Sequence, residues 1–182
     1  TVQRNHPATA QAIQEAHPDA VILAVGATPT VPPVAGMDSP KVVDCVTALT
    51  GADLPGQRIL VVGGGLVGCE TALWLAQHGK KVTIVEALDK LLAVNGPLCH
   101  ANKDMLERLV PYHGVETVTS ARVTGYAEGV LTAVCGGKER QIPCDSVILA
   151  VGYREEDTLY RELEFEVPEI YLLGDAKKVS NI

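Results

Sequence analysis

The sequence contains no C-x-x-C pair, although it has five cysteines: Cys45, Cys69, Cys99, Cys135 and Cys144. An odd, scattered set writes neither a disulfide framework nor a zinc or iron-sulfur cage, and fits reduced thiols in a cytoplasmic protein. A long uncharged apolar run is missing too. The longest, such as VILAVGA at residues 21–27, fall far short of the roughly 20 residues that a membrane span needs, so no membrane partner is expected. Positive charge is sparse: 15 Lys and Arg against 22 Asp and Glu give −7, and the pairs Lys80-Lys81 and Lys177-Lys178 are too short to track a phosphate backbone. This argues against a nucleic-acid partner. His6, His17, His78, His100 and His113 stand singly without metal-ligand spacing, and no G-x-S-x-G, H-E-x-x-H or Cys-His pairing supports hydrolysis. Neither a catalytic side chain nor a metal ligand is therefore expected. The N-terminal TVQRNHPATA has no initiating Met and no signal pattern, as in a chain cut from something longer.

What is present is enough for a packed core: 182 residues, 47% apolar, room for one domain or one domain plus pieces of another. ATAQAIQEAHPD puts Ala8, Ile13 and Ala16 on one helical face and stops at Pro18. AVILAV follows as a continuous branched run ending on Gly26, the pattern of a strand buried on both faces of a parallel sheet. Pro29, Pro32, Pro33, Gly36 and Pro40 then mark a connector, and LPGQ at residues 54–57 a second boundary. From Arg58 the chain reads strand (RILVV), glycine turn (GGGLVG), helix (CETALWLAQHG, closed by Gly79, with Trp74 and Leu75 packing it on its sheet) and strand (KKVTIVE), one βαβ unit. HANKDMLERLVPYHG is a second helix. VETVTSARVTGYAEGVLTAV reads as short strands with Gly125 and Gly129 at turns, and GGKERQIPCD as another hairpin. DSVILAVG (residues 145–152), a short helix at EDTLYRELEF and a buried strand EIYLLGDA complete the chain.

The G-x-G-x-x-G pattern falls on Gly63, Gly65 and Gly68, with Gly64, Leu66 and Val67 between them. The first glycine permits the tight turn, the second lets backbone approach a pyrophosphate, and the third lets helix pack on strand. The following helix aims free N–H groups and about half a positive charge at the phosphates. Glu86 supplies the acid, eighteen residues after Gly68 and at the end of a strand. A carboxylate there accepts the ribose hydroxyls of NAD and repels the 2′-phosphate of NADP, so NAD(H) is expected over NADP(H), with Lys90 offsetting part of the repulsion. Glu70, placed in the first helical turn, complements the helix dipole or lies near the nicotinamide.

One phrase occurs twice: DAVILAVG at residues 19–26 and DSVILAVG at 145–152. With the intervening G-x-G-x-x-G, the connector AVGATPTVPPVAG, the second exit AVGYREED and the ending PEIYLLGDA, the chain resembles the two-dinucleotide-domain flavoproteins of the pyridine nucleotide-disulfide oxidoreductase superfamily. In them an NAD(P)H domain is inserted into a split FAD domain. The resemblance implies an α/β fold, a Rossmann-like parallel sheet with βαβ units and an antiparallel β-meander insertion. It divides the chain into an FAD-domain remnant and connector (1–50), an NAD(P)H domain (51–152) and a return segment of the FAD domain (153–182). It places Val151 and Gly152 near the nicotinamide, and Val25, Gly26, Gly174 and Asp175 against FAD in the whole protein. The earlier glycine motif that holds the FAD adenosine is missing, so this chain is not expected to retain FAD.

Within the superfamily the phrasing is most similar to the C-terminal region of Old Yellow Enzyme-related NADH:flavin oxidoreductases, the 2-enoate and 2,4-dienoyl-CoA reductases. That implies hydride entry from NADH to FAD, an upstream domain carrying FMN and an iron-sulfur cluster, and reduction of an activated alkene. Two alternatives stay open: an NADH oxidase or disulfide-reductase-type flavoprotein, and a non-catalytic ADP-binding module.

Overall fold

A computed structural model describes residues 1–51, 54, 56–93 and 99–180; Pro55, in the expected boundary at residues 54–57, and Asn181-Ile182 at the chain end lie outside them. The elements run α1 (Ala10–Glu15), β1 (Val21–Leu23), β2 (Ala27–Pro29), β3 (Val42–Asp44), α2 (Cys45–Leu49), β4 (Arg58–Val62), α3 (Leu66–Gln77), β5 (Lys81–Val85), α4 (His100–Tyr112), β6 (Glu116–Val118), β7 (Ala121–Ala127), β8 (Val130–Cys135), β9 (Lys138–Pro143), β10 (Ser146–Leu149), β11 (Tyr153–Glu155), α5 (Thr158–Leu163) and β12 (Ile170–Leu172). A short 3-10 turn, Gly174–Ala176, follows. No described helix is long and apolar enough to cross a membrane.

The chain forms two compact units, Pro29–Gly152 and, from two separate stretches, Thr1–Thr28 with Tyr153–Ile182. The inserted unit thus begins at Pro29, ahead of the residue-51 boundary that the family resemblance implies. The difference has a physical cause. The connector is drawn into the inserted unit: β3 joins its sheet, Ala35 bridges Gly125, and Met37 is buried in its core.

The inserted unit is an α/β fold built on a five-stranded parallel sheet in the order β3-β10-β4-β5-β6. Its three central strands, β10, β4 and β5, are buried on both faces, so branched apolar residues fill consecutive positions and alternate in direction. Ile59, Val61, Val82, Ile84 and Ile148 face a core shared with α3 and α4. Leu60, Val62, Val85, Val147 and Leu149 face a second core under the antiparallel meander β7-β8-β9. Gly129 and Gly136-Gly137 make the two hairpin turns at positive φ, but Gly125 lies inside β7 at a register shift and not at a turn. Helix α3 ends in paired backbone bonds, Gly79 N–H to Ala76 C=O and Lys80 N–H to Leu75 C=O, with Gly79 at φ 82°. Leu75 is buried, but Trp74, expected to pack on the sheet, is 39% exposed and stacks on His78 at 4.0 Å.

In the other unit β1 pairs in parallel with β12, Val21 opposite Ile170 and Ile22 opposite Tyr171. Val21 and Leu23 are buried, whereas Ile22 is 64% and Tyr171 50% exposed. The sequence pattern predicts β1 to be buried on both faces and β12 to be buried. Among the described residues this sheet has two strands, with α5 packed on β12 and α1 on α5, so one face is covered and the other is bare.

Candidate functional site

The C-terminal ends of β10, β4 and β5 lie side by side, and chain order reverses at β4, whose sequence successor β5 lies on one side and β10 on the other. A crevice outside such strand ends is where open α/β sheets take ligands. Gly63 follows β4 directly, at φ 106°, and its N–H donates to Val85 C=O at 2.9 Å, tying the turn to β5. A Cβ at Gly63 would lie 2.4 Å from the Ala150 carbonyl oxygen, and one at Gly68 would lie 2.0 Å from the Gly63 oxygen. Both positions therefore need glycine for close approach. Gly65 is the N-cap residue of α3, and no side chain caps this helix end. The hydrogen-bond ladder begins with Cys69 N–H on Gly65 C=O at 3.0 Å, which leaves the preceding amides of Leu66, Val67 and Gly68 at the positive end of the helix dipole.

Glu86 emerges from the end of β5. Its backbone is fixed on both sides, N–H to Val118 C=O at 2.9 Å and C=O from Ala121 N–H at 2.9 Å. One carboxylate oxygen accepts the Gly64 N–H and the other the Leu88 N–H at 2.8 Å. The acid is thus held beside the glycine turn by two backbone donors, half-buried, with lone pairs to spare for hydroxyl donors. The Gly64 carbonyl in turn accepts from Leu92 N–H at 2.8 Å and from the Cys69 thiol at 3.4 Å. Burial, with the Glu86 and Glu70 carboxylates nearby, pushes that thiol up to about 12, so it remains protonated.

The structure brings Gly63, Gly64, Gly65, Leu66, Val67, Gly68 and Glu86 to one end of the sheet, with Val151 and Gly152 just past β10 on the same end. Glu70 is exposed and is the fifth residue of α3, one turn deeper than expected. Lys90 is exposed in the loop after Glu86. In the other unit Val25 and Gly26 follow β1, while Gly174 and Asp175 follow β12; Asp175 accepts the Ser180 N–H at 3.3 Å. These four therefore sit past the ends of two paired parallel strands. Three contributors were not singled out from sequence: Ala150, against which the glycine turn closes, Leu91, whose methyl lies 2.4 Å from where a Gly64 Cβ would be, and Cys69. Only Ala150 carried a signal, as the small residue of the repeated AVG. No cluster of His, Cys, Asp or Glu suited to a metal ion occurs among the described residues.

Comparison with known proteins agrees with this geometry. A cinnamate reductase of Clostridium sporogenes is 40% identical over 181 residues, 100% of this chain and 27% of its own length. An NADH oxidase of Thermoanaerobacter brockii is 33% identical over 182 residues, 96% of this chain and 27% of its own. Among solved structures, a 2-naphthoyl-CoA reductase in complex with 2-naphthoyl-CoA superposes with a TM-score of 0.85 at 27% identity, covering 97% of this chain and 27% of that one. The chain thus spans about a quarter of the length of these relatives. The family model for pyridine nucleotide-disulphide oxidoreductases matches residues 2–180, and with its uncapped helix, crowded glycines and anchored strand-end acid the chain belongs to that family.

Proposed function

We propose that this chain is the NADH-binding part of a flavin-dependent oxidoreductase that reduces an activated alkene of the enoate or enoyl-CoA type. The observation that carries the cofactor assignment is the placement of Glu86, held by the Gly64 and Leu88 amides beside the uncapped start of α3. Pyrophosphate would take the Leu66 and Val67 amides, the adenosine ribose would take Glu86, and Val151-Gly152 would lie along the nicotinamide half. A 2′-phosphate brought to ~4 Å of that carboxylate is opposed by roughly 4 kcal/mol at an effective dielectric near 20, so NADH is favoured over NADPH. When both groups are bound, the chemistry they supply is hydride transfer from nicotinamide C4 to flavin N5. The chain's own contribution is binding and orientation.

Crowding at Gly63 and Gly68 makes the inserted unit fit a dinucleotide. The other unit fits FAD only in part: Val25, Gly26, Gly174 and Asp175 follow the ends of β1 and β12, where they would meet it, but the sequence holds one glycine turn and that turn is used. Likeness to a cinnamate reductase and a naphthoyl-CoA reductase supports an unsaturated acid or thioester as acceptor; an upstream domain carrying FMN and an iron-sulfur cluster belongs to the same reading and rests on the sequence resemblance alone. Likeness to an NADH oxidase supports the second reading, delivery of the electrons to dioxygen. Scattered unpaired thiols are the support for a cytoplasmic location.

Parallel calorimetric titrations with NADH, NADPH and ADP test the assignment. NADH is expected to bind at least tenfold tighter than NADPH. Binding of ADP without NADH would leave a structural nucleotide module and overturn the electron-entry reading.

A further inference from the structure

Two of the five cysteines donate to backbone carbonyls at the C-terminal ends of the adjacent strands β10 and β4. The Cys69 thiol, on α3, donates to the Gly64 carbonyl at 3.4 Å, just past the end of β4. The Cys45 thiol, on the first residue of α2, donates to the Leu149 carbonyl at 3.4 Å, at the end of β10. Both side chains are at least 98% buried in the helix-side core, where water cannot replace the donor. The two contacts are joined through the turn itself. Leu149 leads into Ala150, whose carbonyl oxygen is 2.4 Å from the position of a Gly63 Cβ and whose own Cβ is 3.2 Å from that of a Gly68 Cβ; Gly68 precedes Cys69. Anything that lets one carbonyl move shifts Ala150 against the glycine turn, and the space left there is less than a methyl group.

We propose that Cys45 and Cys69 are positioning residues of the dinucleotide crevice: as S–H donors they hold the Leu149 carbonyl that ends β10 and the Gly64 carbonyl within the glycine turn, and so set the aim of the Leu66 and Val67 amides. The proposal rests on the dinucleotide-binding reading above. A thiol suits the task because it is small and apolar enough for a core beside Ala48, Ala72 and Ile148, yet still carries one donor. Burial raises both thiols, so the donor hydrogen is retained well above neutral pH. Both sulfurs lie in the packed core, so their influence on the cofactor passes through backbone geometry.

The test compares Cys→Ser, which keeps a donor, with Cys→Ala, which removes it, at each position in the full 182-residue chain. NADH affinity is measured by calorimetry and folding by thermal midpoint. The expected result is that Cys45→Ala and Cys69→Ala each weaken NADH about threefold to tenfold, the range a lost buried hydrogen bond gives, while the Ser variants stay within twofold of the parent. Should Cys69→Ala fail to fold, the Cys45 pair makes the same comparison at the end of the adjacent strand β10. Ala and Ser variants that both bind like the parent would overturn the proposal while leaving the dinucleotide site intact. A parent chain that binds no NADH would overturn both.

Discussion

Asp19 and Asp145 open the two copies of one eight-letter phrase and have different surroundings. Asp19 is exposed at a bend, whereas Asp145 accepts the Gln57 and Arg58 amides at 2.8 Å each and the Arg58 guanidinium at 2.7 Å. These donors, the guanidinium first, hold the Asp145 carboxyl far below the usual carboxylate range. Because its folded pKa is depressed, the interaction stabilises the fold above the unfolded value of about 4 and is lost as pH falls below it. Asp145→Asn is therefore expected to flatten the acid limb of stability below about pH 4 and to lower the midpoint at neutral pH; denaturant melts across pH 2 to 7 on both proteins check this. At this scale the sequence was legible where a residue's role is steric. Gly63 and Gly68 do what their spacing required. It was not legible where the role depends on a distant partner: nothing local connects Asp145 with Gln57, or Cys69 with Gly64.

Helix α3 is the element on which most of the site depends, and its two ends are specified differently. Its C-terminus is closed by Gly79 in a pattern readable from the letters alone. Its N-terminus works by what is left out, since a Ser or Asp cap would occupy the amides that an anion needs. The third glycine is the most exacting position. Gly68→Ala places a methyl 2.0 Å from the Gly63 oxygen, and the clash is with backbone on an element that cannot rotate away. A loss of about 1 to 3 kcal/mol is expected, visible as a lower thermal midpoint, together with weakened NADH binding. Strands were harder to place. VILAVG yields the fully buried centre of β10 but a half-exposed β1, because burial is decided by the neighbouring layers and a strand's letters do not record how many neighbours it has.

For the whole molecule, the parallel sheet, the meander and the glycine turn with its strand-end acid were legible because alternation, turn glycines and the acid's spacing all agree. The boundary at Pro29 was not, since five prolines and glycines between residues 29 and 40 look like a linker whether or not they pack. In the unit formed from Thr1–Thr28 and Tyr153–Ile182, Ile22 and Tyr171 leave one sheet face bare. The chain as it stands is expected to purify without stoichiometric flavin; visible flavin absorbance that survives gel filtration at a one-to-one ratio would contradict this.

The discontinuity of that unit also bears on the order of folding. Val21 must find Ile170 across roughly 150 residues of chain, and closing a flexible loop of that size costs about 4 to 5 kcal/mol of entropy. Once the insert is folded its two ends are already together, Thr30 N–H on Gly152 C=O at 2.9 Å, and the loop left to close is only about 25 residues, which lowers the cost by roughly 1.5 kcal/mol. The inserted unit is therefore expected to act as a template for its host, forming first so that the strands on either side of it pair afterwards.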